Sequence, residues 1–154
     1  MLRSASLGTE VSLLSEQNVD LHRRIMEAIR NRDVEAGIAI SDPEIRIETV
    51  FTAVGGGAYR GHDGLRRFQK EFEEVWGDQF FIEPEAFFDF GERTLVFTVV
   101  RARGAQSGAE ITIPAAQVLR WRNGLCIHFK AYAHREDALK DLGVAEDALE
   151  PIAP

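Results

Sequence analysis

A chain of 154 residues, 45% of them hydrophobic, is long enough to bury roughly 70% of its unfolded surface in one domain without disulfides or metals. Its formal net charge of −7 argues against a nucleic acid or an anionic membrane as partner, because both are negatively charged and the sequence has no concentrated basic patch. One cysteine excludes an internal disulfide, and no apolar run reaches the roughly 18 residues of a membrane span, so a reducing cytoplasm is the expected compartment.

The N-terminal part of the chain is predicted to hold a loose arm and then an amphipathic helix. Residues 1–14 show no clear hydrophobic periodicity and lack the apolar core of a signal peptide, which predicts a flexible arm. After Ser15, a candidate helix cap, apolar residues recur on one face over residues 16–32. His22 falls on the opposite face of this helix, which we expect to be solvated.

A second short helix and a strand follow. Asp33 is a candidate cap for a helix over residues 34–40, which ends before Asp42-Pro43 because proline disfavours helix in the preceding residue. Alternating side chains over residues 44–52 then predict a strand. The glycines at 55–57 lack the Lys-Ser or Lys-Thr of a phosphate-binding loop, so we interpret them as a flexible loop that could act as a lid.

The rest of the chain is predicted to form one long helix, four strands and a closing helix. Apolar residues at helical spacing over residues 63–76, followed by Gly77, predict an amphipathic helix. Asn123-Gly124 suits the type I′ turn of a two-residue hairpin, which needs positive φ at both positions. Antiparallel strands are expected over residues 80–90, 94–103, 111–122 and 125–132, and a short helix over residues 135–142.

Side-chain alternation assigns a face to each residue of the final hairpin. Before the turn, the face that carries Leu119 and Trp121 is apolar except for Gln117. After the turn, one face is apolar and includes Phe129. The opposite, mixed face carries Cys126, His128, Lys130 and Tyr132.

The order of elements predicts an α+β fold in which helices cover the concave side of a curved, mostly antiparallel sheet. A single domain is expected over residues 15–143, with a tail over residues 144–154. Four stretches also carry a family pattern: DPEI at 42–45, YRGHDGLRRF at 59–68, RNGL at 122–125 and AYAHREDAL at 131–139. They resemble the SnoaL-like and ketosteroid isomerase-like branch of the nuclear transport factor 2-like superfamily.

The resemblance implies a cone-like α+β barrel around a pocket, a fold shared by isomerases, polyketide cyclases, epoxide hydrolases and binding modules without catalysis. In ketosteroid isomerase-like members the catalytic base lies late on the first strand, a position that falls on Glu48. Gln117 falls on one oxyanion-donor position. Ile25 occupies the position of the other donor, normally a tyrosine, which departs from the ketosteroid isomerase pattern.

A catalytic hypothesis follows, because the resemblance also turns Arg101 toward the pocket. Glu48 would remove a proton next to a carbonyl group while Arg101 and Gln117 stabilise the enolate, or it would activate a water. The alternative is an internal ion pair of Glu48 with Arg101, to which Gln117 adds a hydrogen bond. The expected pocket lining is Phe68, Phe97, Val99, Leu119, Trp121 and Phe129, with Tyr59 and His62 as further candidates.

The four histidines and the single cysteine show no spacing typical of a metal site, so neither a metal nor another cofactor is expected. For His62 a loop contact is favoured over a ligand contact, and for Tyr59 a core contact is weighed equally with a ligand contact. Cys126 is interpreted as a small, partly buried hydrophobic residue. His128 is assigned to the outer face or to a dimer interface.

Two functional classes are compatible with these residues. An enzyme requires Glu48 inside the pocket beside a substrate, whereas a binding module requires only an apolar cavity for a small hydrophobic molecule. The outer face of the sheet is expected to be apolar and to pair two copies as a homodimer. It would carry Val96, Thr98, Val100, Thr112, Ala116, Val118, Cys126 and Tyr132.

Overall fold

The computed structural model of the chain describes residues 2–50, 57–103 and 108–152, with side chains from residue 16 onward. Its α-helices are α1 (Leu2–Arg30), α2 (Val34–Ile38), α3 (Gly61–Trp76) and α4 (Arg135–Leu142), and a 3-10 turn follows at Glu146–Ala148. Its strands are β1 (Ser41–Thr49), β2 (Gly57–Arg60), β3 (Phe80–Phe90), β4 (Arg93–Arg103), β5 (Glu110–Arg122) and β6 (Leu125–Tyr132).

The described strands form one curved sheet in the order β2-β1-β6-β5-β4-β3. Strand β1 runs parallel to β6, and the other neighbours are antiparallel. The predicted α+β class and the meander of four long strands are confirmed. Strand β2 was not predicted, because it has only four residues and follows glycines.

Helix α1 is longer than its amphipathic pattern. It begins at Leu2, so the prediction of a flexible arm over residues 1–14 is wrong for residues 2–14. Ser15 continues the helix and does not cap it. No proline interrupts this stretch, and its Leu, Ala and Glu residues are good helix formers. In the part of the chain that the structure describes, no helix is both long and apolar enough to cross a membrane.

Two local predictions about turns and caps are confirmed. The side chain of Asp33 accepts a hydrogen bond from the backbone nitrogen of Ala36 at 3.1 Å and so caps α2. Asn123 and Gly124 have φ angles of 52° and 77°, as a type I′ turn requires. The predicted loop over the glycines at 55–57 falls mainly on residues 51–56, which lie outside the described residues.

Helices α1 and α3 pack on one face of the sheet, here termed the inner face. Leu21 and Ile25 of α1 and Leu65 and Phe68 of α3 pack in the same core cluster on this face, which confirms that helices cover one side of the sheet. The sheet contributes Ile45, Ile47, Leu119, Trp121 and Phe129 to the same core cluster.

Helix α4 and the tail cover much of the opposite face, here termed the outer face. Leu139 and Leu142 of α4 pack on a cluster that includes Leu95, Phe97 and Val118. The tail adds a backbone hydrogen bond of 2.7 Å from Ile152 to Phe87 on the edge strand β3. Apolar side chains on both faces of the sheet are therefore buried.

This covering corrects the predicted apolar outer surface. Val96, Thr98, Val100 and Cys126 lie on the inner face, because their strand partners there include Gln117, Ala115 and Trp121. Ala116, Val118 and Tyr132 lie on the outer face but are buried. The homodimer stays a prediction without the exposed apolar patch from which it was inferred.

A β-bulge in β6 explains the position of Cys126. Trp121 pairs with Cys126 and Arg120 pairs with His128, so Ile127 is the extra residue of the bulge. The bulge turns Cys126 toward the inner face, where it is fully buried, and burial raises the pKa of its thiol to about 12. His128 lies on the outer face as predicted.

Arg135 at the start of α4 ties that helix to the sheet. Its Nε donates to the carbonyl oxygen of Ala115 at 3.1 Å, and its Nη2 donates to that of Thr98 at 2.9 Å. Its guanidinium also lies 4.5 Å from the centroid of the Phe97 ring. The side chain thus satisfies two strand carbonyls and covers an aromatic ring.

We expect Arg135→Ala to lower the free energy of unfolding by about 2 kcal/mol, because two carbonyl groups lose their donors. Urea unfolding followed by circular dichroism measures this change. Lys140→Ala removes an exposed cation from the same helix and is the matched control, with an expected loss below about 1 kcal/mol. Equal losses in the two variants would contradict a specific role for Arg135.

Candidate functional site

A cavity of about 780 Å³ lies between the inner face of the sheet and helices α1 and α3. Its walls within the described chain are largely apolar, and they include Ile25, Ile29, Ile45, Ile47, Phe68, Phe72 and Phe129. The charged residues that border it are all exposed or half-buried, which places them at its rim. These residues are Arg23, Glu27, Arg30, Arg32, Asp33, Glu73 and Glu83.

Four buried polar side chains border the cavity on the sheet side, and two of them, Gln117 and Thr98, form what we term its floor. The other two are Ser41 and Thr49 of β1. Gln117 is 2% exposed and Thr98 is 1% exposed. Val96 pairs with Gln117 and Thr98 pairs with Ala115, so the two floor residues are diagonal neighbours on one face, with backbones roughly 7–8 Å apart. They can therefore contact the same bound molecule.

A chain of buried hydrogen bonds holds Gln117 from behind. Nε1 of Trp121 is 2.8 Å from Oγ1 of Thr94, and Nδ1 of His22 is 2.7 Å from the same oxygen. Nε2 of His22 lies 3.5 Å from Oε1 of Gln117. His22 and Thr94 are both 0% exposed, so this chain runs through the core between α1 and the sheet.

The chemistry of these groups fixes the direction of each hydrogen bond. The indole nitrogen of Trp121 can only donate, so Thr94 accepts from it. The Gln117 oxygen can only accept, so Nε2 of His22 carries the proton and Nδ1 accepts from the Thr94 hydroxyl group. A neutral imidazole satisfies both bonds, and the Gln117 oxygen is held toward His22.

This orientation leaves the amide nitrogen of Gln117 on the other branch of its side chain. Within the described residues, neither this nitrogen nor the Thr98 hydroxyl group makes a side-chain hydrogen bond to the protein. Both groups border the cavity. The floor therefore offers an amide donor and a hydroxyl group to a bound molecule.

Burial lowers the pKa of His22 to about 3, although its hydrogen bond to Gln117 acts in the opposite direction. The prediction of a solvated His22 is wrong. Its position on α1 held the missed signal: it follows Val19 by three residues and precedes Met26 by four, and both are buried. The apolar face of α1 is wider than the stripe through Leu21 and Ile25.

Of the three residues predicted to act in catalysis, Gln117 lines the cavity and Glu48 does not. Ile47 and Thr49 face inward, so Glu48 points to the outer face, where its side chain is 38% exposed. Its Oε2 is 2.7 Å from Nε2 of His128, and this hydrogen bond lowers the pKa of the Glu48 carboxyl group. The predicted position inside the pocket is wrong.

Arg101 also lies on the outer face. It pairs with Thr112, its side chain is 52% exposed, and its Nη2 is 3.9 Å from Glu83. Phe97 and Val99 share this face, and Phe97 packs under α4. The inward positions predicted for these three residues are wrong, because β4 is apolar on both faces and its alternation does not identify the inner one.

The other predicted lining residues lie on the inner side of the sheet or beside it. Phe68 and Phe129 border the cavity. Leu119 and Trp121 face inward and are buried beneath it in the same core cluster. In the hairpin, Phe129 thus contributes to the cavity wall, and Trp121 packs beneath it.

Tyr59 and His62 make contacts within the protein. The Tyr59 ring packs edge-on against Phe68 with 5.4 Å between centroids, and its hydroxyl group donates to Glu71. Nε2 of His62 donates to the carbonyl oxygen of Ser41 at 2.9 Å. The position of Tyr59 corresponds to the core contact weighed for it. His62 lies in α3 and bonds the first residue of strand β1, in place of the loop contact that was favoured.

Within the described ranges, no group of three or more His, Cys, Asp or Glu side chains is close enough together to hold a metal ion. Glu48 and His128 on the outer face form a pair only. A metal-free protein stays a prediction.

The geometry is that of a known family. Residues 22–129 match the model of the SnoaL-like domain, which covers more than half of the chain. The chain belongs to the SnoaL-like family, and the resemblance inferred from its sequence is confirmed. No curated protein matches the sequence.

Solved structures show the same fold at low sequence identity. A nuclear transport factor 2-like protein of unknown function from Burkholderia pseudomallei has a TM-score of 0.67 and 23% identity, covering 80% of this chain and 95% of its own. TerC, co-crystallised with polyporic acid, has a TM-score of 0.68 and 19% identity, with coverages of 80% and 96%. A SnoaL-like polyketide cyclase, so described, from Jannaschia sp. CCS1 has a TM-score of 0.65 and 14% identity, with coverages of 77% and 86%.

The buried His22 makes stability depend on pH. Its pKa is about 3 in the folded chain, below the ordinary 6.5, so between these values the unfolded chain binds a proton that the folded chain does not. The free energy of unfolding should therefore fall as the pH decreases below 6.5, with a contribution from His22 of up to about 1.4 kcal/mol per pH unit.

Urea unfolding of the protein and of His22→Asn, at neutral pH and at about pH 5, measures this contribution. The other three histidines are common to both chains, so the difference in slope belongs to His22. We expect the shallower slope in the variant. An NMR titration in which the His22 ring of the native protein gains a proton near pH 6 would contradict the buried, neutral state.

Proposed function

We propose that this protein binds a small, uncharged and largely apolar molecule whose hydrogen-bond acceptor, such as a ketone or ester carbonyl, is held by Gln117. The observation that carries the proposal is the cavity of about 780 Å³ with the Gln117 amide at its floor. Cavities of this size and lining are typical of small-molecule sites, in which a few polar groups orient an apolar ligand.

The distribution of charge supports an uncharged ligand. The buried polar side chains that border the cavity are uncharged, whereas its charged side chains stay at the rim; the former are Ser41, Thr49, Thr98 and Gln117. An ion placed among the apolar walls would lose its hydration without gaining an opposite charge. A neutral acceptor, by contrast, exchanges a hydrogen bond with water for one with the Gln117 amide.

The site supports binding better than proton transfer. Glu48 lies outside the cavity and is hydrogen-bonded to His128. The imidazole of His22 is neutral near pH 7, because its pKa is about 3. Both of its nitrogens already have partners. A general base needs a pKa near the working pH and access to the substrate. Our proposal therefore contains no carboxylate base.

Structures of the same fold add support for a small organic ligand. TerC was co-crystallised with polyporic acid, and a ketosteroid isomerase-like protein from Catenulispora acidiphila was crystallised in complex with trimethylamine. At identities of 19% and 12%, these proteins say nothing about which molecule binds here. The acceptor group is inferred from the Gln117 amide alone.

The proposal can be tested with pairs of uncharged probes that differ only in an acceptor, such as α-tetralone and tetralin. We expect isothermal titration calorimetry to show that the ketone binds about fivefold more tightly than the hydrocarbon, as one hydrogen bond provides. In Gln117→Leu this preference should disappear while tetralin still binds.

Glu48→Gln is the matched control, because it changes a polar side chain on the outer face. Glu48→Gln should keep the preference for the ketone. If Glu48 were a base inside the pocket, this substitution would change that preference. Circular dichroism of each variant checks that it is folded. Failure of a panel of such probes to bind, or an equal preference in the native protein and Gln117→Leu, would refute the proposal.

A further inference from the structure

We propose a second ligand site on this protein, a phosphate-type oxyanion site formed by Arg46, Arg60 and Arg67. These arginines border a depression of about 250 Å³ at the edge of the sheet formed by β1 and β2. Its lining also includes Ile47, Glu48, Ala58 and Tyr59. The site is separate from the apolar cavity and does not depend on the function proposed for it.

The strand register brings two of the arginines together. Arg46 of β1 lies directly opposite Arg60 of β2 in the antiparallel pair, so both side chains leave the sheet on the same face. Like charges in this arrangement repel each other and destabilise the strand pair. An anion between the two guanidinium groups would turn this repulsion into attraction.

A third guanidinium group comes from helix α3. Arg67 lies over the ring of Tyr59, 5.0 Å from its centroid, and Tyr59 is the neighbour of Arg60 in β2. This contact holds the Arg67 side chain beside the depression. Arg67 thus comes from the inner side of the edge strand, whereas Arg46 and Arg60 leave the sheet on the outer face. All three border the depression at the sheet edge.

The nearby carboxylates lie at long distances from Arg46 and Arg67, and each carboxylate has a closer donor on its other oxygen. Arg46 is 3.9 Å from Glu48, whose Oε2 is bound by His128 at 2.7 Å. Arg67 is 3.9 Å from Glu71, which accepts the hydroxyl group of Tyr59.

Arg60 has no ion pair within the described residues. The adjoining stretch over residues 51–56 contains no acidic side chain. Positive charge therefore remains at this edge of a chain whose net charge is −7. Guanidinium groups bind phosphate oxygens through paired hydrogen bonds, so a phosphate group fits this set of donors.

The test is an NMR titration of the native protein with inorganic phosphate at constant ionic strength, following the arginine Nε–H signals. Saturable shifts are expected for Arg46, Arg60 and Arg67. Arg60→Gln should weaken phosphate binding by about tenfold, as the loss of a charge-assisted hydrogen bond does.

Arg101→Gln is the control, because Arg101 is an exposed arginine on the same sheet with an equally long contact of 3.9 Å to Glu83. It should bind phosphate as the native protein does. The proposal is overturned if all arginine signals shift alike without saturation, or if Arg60→Gln and Arg101→Gln bind phosphate equally well. Thermal unfolding without phosphate confirms that both variants are folded.

Discussion

The inner side of this molecule depends on one constraint, which is that the uncharged imidazole of His22 is enclosed between α1 and the sheet. His22 is 0% exposed, and a buried polar ring is tolerated only if its nitrogens find partners. Thr94 and Gln117 supply them, and Trp121 completes the chain. The position of α1 on the sheet, the rotamer of Gln117 and the polarity of the cavity floor are thus set by one set of hydrogen bonds.

The sequence predicts those elements of the fold that are determined by a few neighbouring residues. The Asn123-Gly124 turn, the Asp33 cap and the α4 helix rest on backbone preferences of a few residues, and the structure has all three. The N-terminal half of α1 was missed, because a helix without a clear apolar stripe has no periodic signal. Strand β2 was missed for a related reason, since four residues are too few to show alternation.

The candidate site was harder to predict, because it depends on which face of each strand is turned inward. In β4 both sets of alternating side chains are apolar, since α1 and α3 cover one face and α4 covers the other. Alternation identifies two faces but does not orient them, so Arg101 was placed with Gln117, although Val96 is the residue paired with Gln117. The bulge at Ile127 adds a second error of the same kind, because one extra residue reverses the face of Cys126.

Ile47 shows how the fold keeps two kinds of chemistry apart. Ile47 borders both the apolar cavity and the arginine depression. Its neighbours along β1, Arg46 and Glu48, point to the face where solvent and opposite charges are available. Because charged groups are stable only where they are hydrated or paired, the alternation of β1 turns apolar side chains toward the cavity and charged ones toward the outer face.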